Sequence, residues 1–227
     1  MGEAWLLIET SGRGGLVALA VDGTVVGERT LDPARRQNRD LAPFAAELLS
    51  AAGLTPKSLR GVMVSVGPGS YTGLRVGLIS AKALAYAVGC ELVAVPTFAA
   101  IAALAPPELA SVDVISDGLQ GLLYAQRYER IVGVMVTTNP LHILTLADWI
   151  ATGPAAVSGP GVTLADAALD ASVTRASPEL RMPTAASLFA AGRGVAPVTR
   201  EELFALEPLY LRPSSAEEQA TKRAAQA

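Results

Sequence analysis

A glycine-rich segment is the sharpest candidate for chemistry in this chain. It reads Gly67-Pro68-Gly69-Ser70-Tyr71-Thr72-Gly73-Leu74-Arg75-Val76-Gly77 and stands between a predicted strand and a predicted helix. Backbone N–H groups at the start of a helix can bind an anion such as phosphate. The Walker motif, however, needs Lys and then Ser or Thr after its last glycine, and Leu74 follows Gly73 here. The dinucleotide fingerprint fails as well, because Gly73 comes one residue late, so we favour packing over phosphate binding.

Small residues recur every four positions along the helix that follows this segment. Such a strip lets another backbone approach closely. Together with the preceding helix it offers a surface for the core or for a second subunit, and we favour a packing and interface role. Under this interpretation, Gly77→Leu or Ala81→Glu would remove partner binding and leave the monomer folded. The predicted partner-binding residues are Leu41, Phe44, Leu48, Gly73, Leu74, Gly77, Leu78, Ala81 and Ala85.

Hydroxyl groups and glycines also stand at the end of the first predicted strand. Thr10, Ser11 and Gly12 are suitable for nucleotide phosphates, but such residues also form ordinary turns, the interpretation that we favour. A phosphotransferase would need a carboxylate as general base. Asp117, after a later strand, and Glu9 are the candidates, although single acidic residues at strand ends are commonly structural. We predict no catalytic residue, and keep Thr10, Ser11, Gly12 and Asp117 as candidate nucleotide-binding residues.

The single histidine and the single cysteine indicate no metal site. His142 has no second ligand in an HxxxH or HExxH spacing, so a zinc site is not expected. No G-x-S-x-G segment presents a serine nucleophile. Cys90 cannot form an internal disulfide and is predicted to be a buried structural thiol. The sequence therefore predicts no metal and little enzyme chemistry.

The composition indicates a globular chain without a general nucleic-acid surface. Of its 227 residues, 51% are hydrophobic and 17% charged, which is enough apolar material for a packed core. The net charge of −3 gives no general basic field for a phosphate backbone, so any role with nucleic acid would run through a partner or a small local patch. The start lacks a basic leader, and the longest apolar region, 74–104, is broken by charged residues and a proline. We expect a cytoplasmic protein.

The order of predicted elements is repeated along the chain. Asp22-Gly23 predicts a β-hairpin, and a helix from Leu41 to Ala52, capped by Asp40, precedes further alternating strands and helices. Glycines at 12, 15 and 27 recur 106 residues later at 118, 121 and 133. This predicts an α/β chain with two mixed β-sheets flanked by helices. We expect an N-terminal subdomain over 1–108, a C-terminal one over 109–212 and a flexible tail over 213–227.

Three segments resemble one known family. The stretch from Val64 to Gly77 is similar to the signature of TsaB, also called YeaZ, and 6–11 resembles the opening strand of that family, with Glu9 in place of its usual aspartate. Pro208-Leu209-Tyr210-Leu211-Arg212 resembles its C-terminal Pro-x-Tyr-Leu-Arg. Asp117 stands where the family has Asp-Ala-Arg, but that arginine is absent here. The resemblance implies an actin-like, ribonuclease H-like duplicated fold, in the superfamily of actin-like ATPases.

The resemblance also implies a function through a partner. Members of this family support formation of threonylcarbamoyladenosine in tRNA by binding the catalytic paralogue TsaD, which carries a metal on a His-x-x-x-His helix, and the ATPase TsaE. Where TsaD has that helix, this chain has an apolar run, 95–103, which fits a non-catalytic subunit. ATP or ADP at the complex interface and a homodimer through the same helices stay open. The alternative is a stand-alone actin-like phosphotransferase or ATPase using Thr10, Ser11 and Asp117.

Overall fold

The first sheet has five strands and occupies the N-terminal half of the chain. The computed structural model describes residues 2–32 and 38–211, so the predicted tail, 213–227, lies outside the described residues. The strand order is β3-β2-β1-β4-β5, antiparallel over the first three strands and parallel over β1, β4 and β5. The strands are β1 (Ala4–Glu9), β2 (Gly15–Val21), β3 (Thr24–Leu31), β4 (Leu59–Ser65) and β5 (Glu91–Val95).

The second sheet repeats this order. Its path is β8-β7-β6-β10-β11, so its strands follow one another in the same succession as in the first sheet, and β9 also pairs with β7. Two mixed sheets with one topology confirm the predicted fold class. The strands are β6 (Ser111–Asp117), β7 (Leu122–Ile131), β8 (Val134–Thr137), β9 (His142–Thr145), β10 (Ala156–Ser158) and β11 (Thr174–Arg175).

Helices cover both sheets. α1 and α2 pack on one face of the first sheet, and α6 returns from the C-terminal half to cover its other face. α3 contacts α6 and the second sheet, so the division at 108 stays a prediction. Short 3₁₀ turns lie at Pro56–Ser58, Asp166–Ala168 and Pro178–Leu180. The α-helices are α1 (Asn38–Ala51), α2 (Tyr71–Val88), α3 (Thr97–Ala102), α4 (Leu146–Ala151), α5 (Val162–Ala165), α6 (Ala185–Gly192) and α7 (Glu202–Ala205).

The two halves of the chain do repeat, but the predicted offset of 106 residues between their matching glycines is wrong. Gly27 lies within β3, whereas Gly133 is in a hairpin turn with φ 80°. The true equivalent of that turn is the predicted Asp22-Gly23, with φ 49° and 82°, because Val132 and Gly133 have φ 48° and 80°. Left-handed backbone at both central residues is what a tight hairpin requires. The matching turns are therefore further apart in sequence than the matched glycines suggested.

The C-terminus of α2 follows a local signal, whereas the N-terminus of α1 differs from the predicted one. Gly89 ends α2 in the left-handed conformation with φ 76°, and its N–H donates to the Ala85 carbonyl at 2.8 Å. Asp40, predicted as the cap of α1, lies instead inside the first turn, because the helix begins at Asn38. A carboxylate there still interacts favourably with the helix dipole. Within the described ranges, no helix combines the length and the apolarity needed to cross a lipid bilayer.

Candidate functional site

The glycine-rich segment lies against the end of β1. The Ser70 N–H donates to the Ser11 carbonyl at 2.6 Å, and the Gly67 N–H donates to Thr97 Oγ1 at 3.1 Å. Ser70 also caps α2, since its Oγ accepts from the Gly73 N–H at 3.2 Å. Several backbone N–H groups of the segment that could otherwise bind a phosphate therefore already donate hydrogen bonds within the protein.

Two glycines permit this close approach. A Cβ built at Gly69 would lie 2.5 Å from the Ser11 carbonyl oxygen. One built at Gly77 would overlap Thr10 Oγ1. Glycine at these positions therefore lets the segment and α2 sit on the β1 end, as close backbone approach requires.

The second half contains an equivalent arrangement without the long motif. Gly67 and Gly159 both follow a parallel strand, precede a proline and have positive φ, 116° and 98°. The Gly161 N–H donates at 3.0 Å to the carbonyl of Ile115 within β6, whereas the Ser70 N–H donates to that of Ser11, two residues beyond β1. The glycine loop is therefore a repeated packing element of the fold, which supports the packing interpretation.

Most of the predicted partner-binding residues face the chain's own core, which corrects the expected mode of partner binding. Ala81 and Gly77 are fully covered by the first sheet, so Ala81→Glu and Gly77→Leu would disturb the fold rather than a surface. The periodicity correctly found the apolar side of each helix, but that side meets the sheet. Phe44 is partly exposed; the buried ones are Leu41, Leu48, Gly73, Leu74, Gly77, Leu78, Ala81 and Ala85.

The outward side of α2 carries a different set of side chains. Ile79 and Tyr86 are 65% and 57% exposed and lie on the side of α2 that faces away from the buried strip. Phe204 of α7 is 66% exposed and meets the Tyr86 ring edge-on, with centroids 5.4 Å apart. We call Ile79, Tyr86 and Phe204 the outer α2 surface. Large exposed apolar groups that adjoin one another are typical of interaction sites.

Residues 204–210, which we call the C-terminal segment, are bound to α2 by hydrogen bonds. Lys82 Nζ donates to the Phe204 and Leu206 carbonyls at 2.9 and 3.0 Å. Arg75 Nε donates to the Tyr210 hydroxyl at 2.7 Å, and its guanidinium lies 4.3 Å from the Tyr71 ring centroid. Sequence reasoning missed this contact, because no local pattern links residues so far apart.

The candidate nucleotide residues at the β1 end are deeply buried. Thr10 and Ser11 have almost no exposure, and each hydroxyl oxygen lacks a hydrogen-bond partner within the described residues. The neighbouring Glu9 is also buried, and its Oε1 accepts from the Ser11 N–H at 2.6 Å while Oε2 has no such partner. Three unsatisfied polar groups in one place are unusual in a folded interior. Sequence reasoning named these residues but gave no sign that they are buried.

Burial determines the charge state of Glu9. Desolvation raises its pKa above the ordinary value of 4.5, and the nearby polar groups of Ser11 and Ser65 only partly oppose this. The folded chain therefore keeps a proton on Glu9 at pH values where the unfolded chain has lost it. The free energy of unfolding must then fall as the pH rises above 4.5 through the raised pKa.

We expect Glu9→Gln to remove this decrease in the free energy of unfolding with rising pH. The variant has no carboxyl to ionise, so it should be more stable than the parent by roughly 1–2 kcal/mol at about pH 8 and nearly equal in acid. Urea denaturation across this pH range measures the difference. Glu28→Gln, at an exposed position on β3, is the control and should change stability by less than about 0.5 kcal/mol. An unaltered pH profile in Glu9→Gln would contradict the expectation.

Asp117 and Gly12 lie near corresponding turns of the two sheets, Asp117 as the last residue of β6 and Gly12 after β1. Asp117 is exposed at the end of β6, and its Oδ1 accepts from the Leu119 N–H at 2.7 Å within its own turn. Gly12 lies in the loop between β1 and β2, beside the Met182 methyl. Asp117 has the local hydrogen bond of an ordinary turn aspartate. Nucleotide binding by Thr10, Ser11, Gly12 and Asp117 stays a prediction.

The helix that follows β5 is part of the core. Phe98 and Ala102, one turn apart on α3, are both buried and pack in the cluster formed with β6 and β7.

The described residues contain no cluster of metal ligands. Across residues 2–32 and 38–211, no group of three or more His, Cys, Asp or Glu side chains could hold a metal ion. His142 is exposed on β9. Cys90 is half-buried, and desolvation is the main cause that raises the pKa of its thiol.

The shared strand order and the repeated glycine-loop contact define the class of protein, a duplicated α/β chain of the actin-like type. A crystal structure from Pseudomonas aeruginosa, of a protein described as similar to peptidase YeaZ, superposes with a TM-score of 0.76 at 25% identity. It covers 92% of this chain and 100% of its own. A second structure, YeaZ from Pseudomonas aeruginosa, gives a TM-score of 0.75 at 23% identity and shows the same fold.

Sequence comparisons identify the family. The family model described as TsaD, tRNA N6-adenosine threonylcarbamoyltransferase, matches residues 25–154, more than half of the chain. The tRNA threonylcarbamoyladenosine biosynthesis protein TsaB of Bacillus subtilis is 30% identical over 64% of this chain, and the match spans 63% of that protein. Escherichia coli TsaB is 25% identical over 91% of this chain and 94% of its own length. The chain belongs to the TsaD-related family, as a member of its TsaB (YeaZ) group.

Proposed function

We propose that the chain is a non-catalytic partner subunit in the formation of threonylcarbamoyladenosine in tRNA, acting in the cytoplasm. Its relatives in Bacillus subtilis and Escherichia coli are described as biosynthesis proteins for this nucleoside. The observation that carries the proposal is α3. Where the resemblance places the two histidines of a TsaD-type metal helix, this chain has Phe98 and Ala102, both buried in its own core. At these two positions α3 therefore contributes apolar side chains to the core and no metal ligands.

The proposed partner is a TsaD-type catalytic paralogue, with a TsaE-type ATPase joining the complex. We place the contact on the outer α2 surface, because the previously predicted strip is buried beneath it. Ile79, Tyr86 and Phe204 are exposed apolar groups, and the last two are in ring contact; such groups often dominate binding energy at interfaces. A homodimer through this surface and a nucleotide at the subunit junction are compatible with the proposal. The acidic chain would touch tRNA only through its partner.

A charge placed on the outer α2 surface should block the complex. Ile79 is exposed, so Ile79→Glu leaves the core intact while an interface would have to bury the new carboxylate. We expect affinity for the purified TsaD-type paralogue, measured by calorimetry, to fall by at least about tenfold. Leu164→Glu adds the same charge to an exposed site on α5 in the other half and should leave affinity unchanged. Equal affinity for Ile79→Glu and the parent would place the interface elsewhere.

A further inference from the structure

A notch interrupts the outer edge of β7. On the edge opposite β6, β9 pairs with residues 122–125 of β7 and β8 pairs with residues 128–131. Asn139 closes the gap: its Oδ1 accepts from the Arg127 N–H at 3.2 Å, and its carbonyl accepts from Gln126 Nε2 at 3.1 Å. Between this notch and α4 lies a cavity of about 220 Å³. The cavity is thus built by ordered backbone and side-chain contacts.

Most hydrogen-bond acceptors around the cavity are already engaged. The two Asp113 carboxylate oxygens accept from Arg127 Nε at 2.6 Å and Nη2 at 3.1 Å. The buried Trp149 indole N–H donates to Asp113 Oδ2 at 2.9 Å. Gln126 Oε1 accepts from the Tyr128 hydroxyl at 2.8 Å. A ligand rich in N–H or O–H donors would therefore find few free partners here.

Donors, in contrast, remain available on three side chains that line the cavity. Within the described part of the chain, Arg127 Nη1, Asn139 Nδ2 and the His142 ring have no hydrogen-bond partner. Ala125 and Leu144 give the same cavity an apolar wall. A guanidinium and an amide beside an apolar wall match a carboxylate with a short hydrocarbon chain.

We propose that this cavity binds a small aliphatic carboxylate. Its oxygens would accept from Arg127 Nη1 and Asn139 Nδ2, its chain would contact Leu144, and His142 would add a donor at the rim. The Asp113 charge is neutralised by Arg127, so the pair offers the ligand the free Nη1 donor without net repulsion. Glu129 is exposed, so water screens its charge. The site lies on the second sheet and is independent of the proposed partner role.

Butyrate, with butyramide as its uncharged analogue, tests the proposal on the isotope-labelled full chain by NMR. We expect saturable butyrate shifts at the Arg127 and Asn139 side chains and the His142 ring, and much weaker ones with butyramide. Asn139→Asp keeps an oxygen for the Arg127 N–H but replaces the donor by a charge, so butyrate affinity should fall at least about tenfold. Val132→Asp, 97% exposed at the hairpin tip, adds the same charge and should have no effect.

Three results would overturn the carboxylate site. They are butyramide or inorganic phosphate binding as tightly as butyrate, no saturable butyrate shift, or unchanged affinity in Asn139→Asp. Should Asn139→Asp fail to fold, His142→Ala at the exposed rim replaces it, with an expected loss of about threefold in butyrate affinity. An unaltered affinity in His142→Ala together with equal butyramide binding would again reject the proposal.

Discussion

Gly77→Ala is expected to lower the free energy of unfolding by about 2–3 kcal/mol. Helix propensity alone predicts the opposite, since alanine in a helix interior is favoured over glycine by about 1 kcal/mol. The sign reverses because the new methyl would overlap Thr10 Oγ1 and lie 3.4 Å from the Ile8 side chain. Both neighbours are buried at the end of β1, so neither can move without disturbing the first sheet.

Urea denaturation followed by circular dichroism measures this change. Ala83→Leu adds more volume at an exposed position of the same helix and should cost no more than about 0.5 kcal/mol. A gain in stability for Gly77→Ala would mean that α2 does not lie on the β1 end as described. It would also restore the earlier interpretation, in which the small-residue strip is free to receive a partner.

Asp113→Ala should also destabilise the chain, by about 2–3 kcal/mol. The carboxylate makes two bonds with Arg127 and one with the buried Trp149 indole, so its removal leaves a buried N–H without a partner. The expected loss is smaller than for a fully buried ion pair, because the Arg127 side chain is partly exposed and can be hydrated in the variant. The hydrogen bond and charge of Asp113 also raise the pKa of Arg127, so the arginine stays charged.

An ion pair whose carboxylate is exposed provides the control. Asp166 and Arg175 also meet through Oδ1 and Nε at 2.6 Å, but the Asp166 side chain is exposed. Asp166→Ala should therefore cost less than about 1 kcal/mol. Thermal denaturation of the two variants separates the effect of burial from that of the ion pair. Equal losses would show that the Trp149 bond and the buried setting of Asp113 contribute nothing.

Local signals predicted much of the fold. Asp22-Gly23 marked the first hairpin, and Gly89, in the left-handed conformation, ends α2 with a signal that is local in the sequence. Thr145 caps α4 by accepting from the Asp148 N–H at 3.1 Å, an interaction whose sequence spacing is characteristic. These features depend on residues near one another in the chain, so their physical causes are visible in a short window of sequence.

Long-range packing could not be predicted in the same way. The apolar strip of α2 is visible in sequence, but whether it meets a sheet or a partner depends on the strands placed beneath it. The burial of Glu9 and the contact of Lys82 with the C-terminal segment depend on residues far along the chain. The candidate site was therefore found by residue type, whereas its closed environment and the outer α2 surface emerged only from the structure.

The level of threonylcarbamoyladenosine in tRNA tests the proposed function most directly. It is measured by mass spectrometry of tRNA from cells depleted of this chain and supplied with variants. The proposal predicts that the nucleoside is lost on depletion, restored by the parent chain and by Asp117→Ala, and not restored by Ile79→Glu. An unchanged level after depletion would contradict a role in this modification. Restoration by Ile79→Glu but not by Asp117→Ala would contradict a non-catalytic partner and favour the stand-alone phosphotransferase.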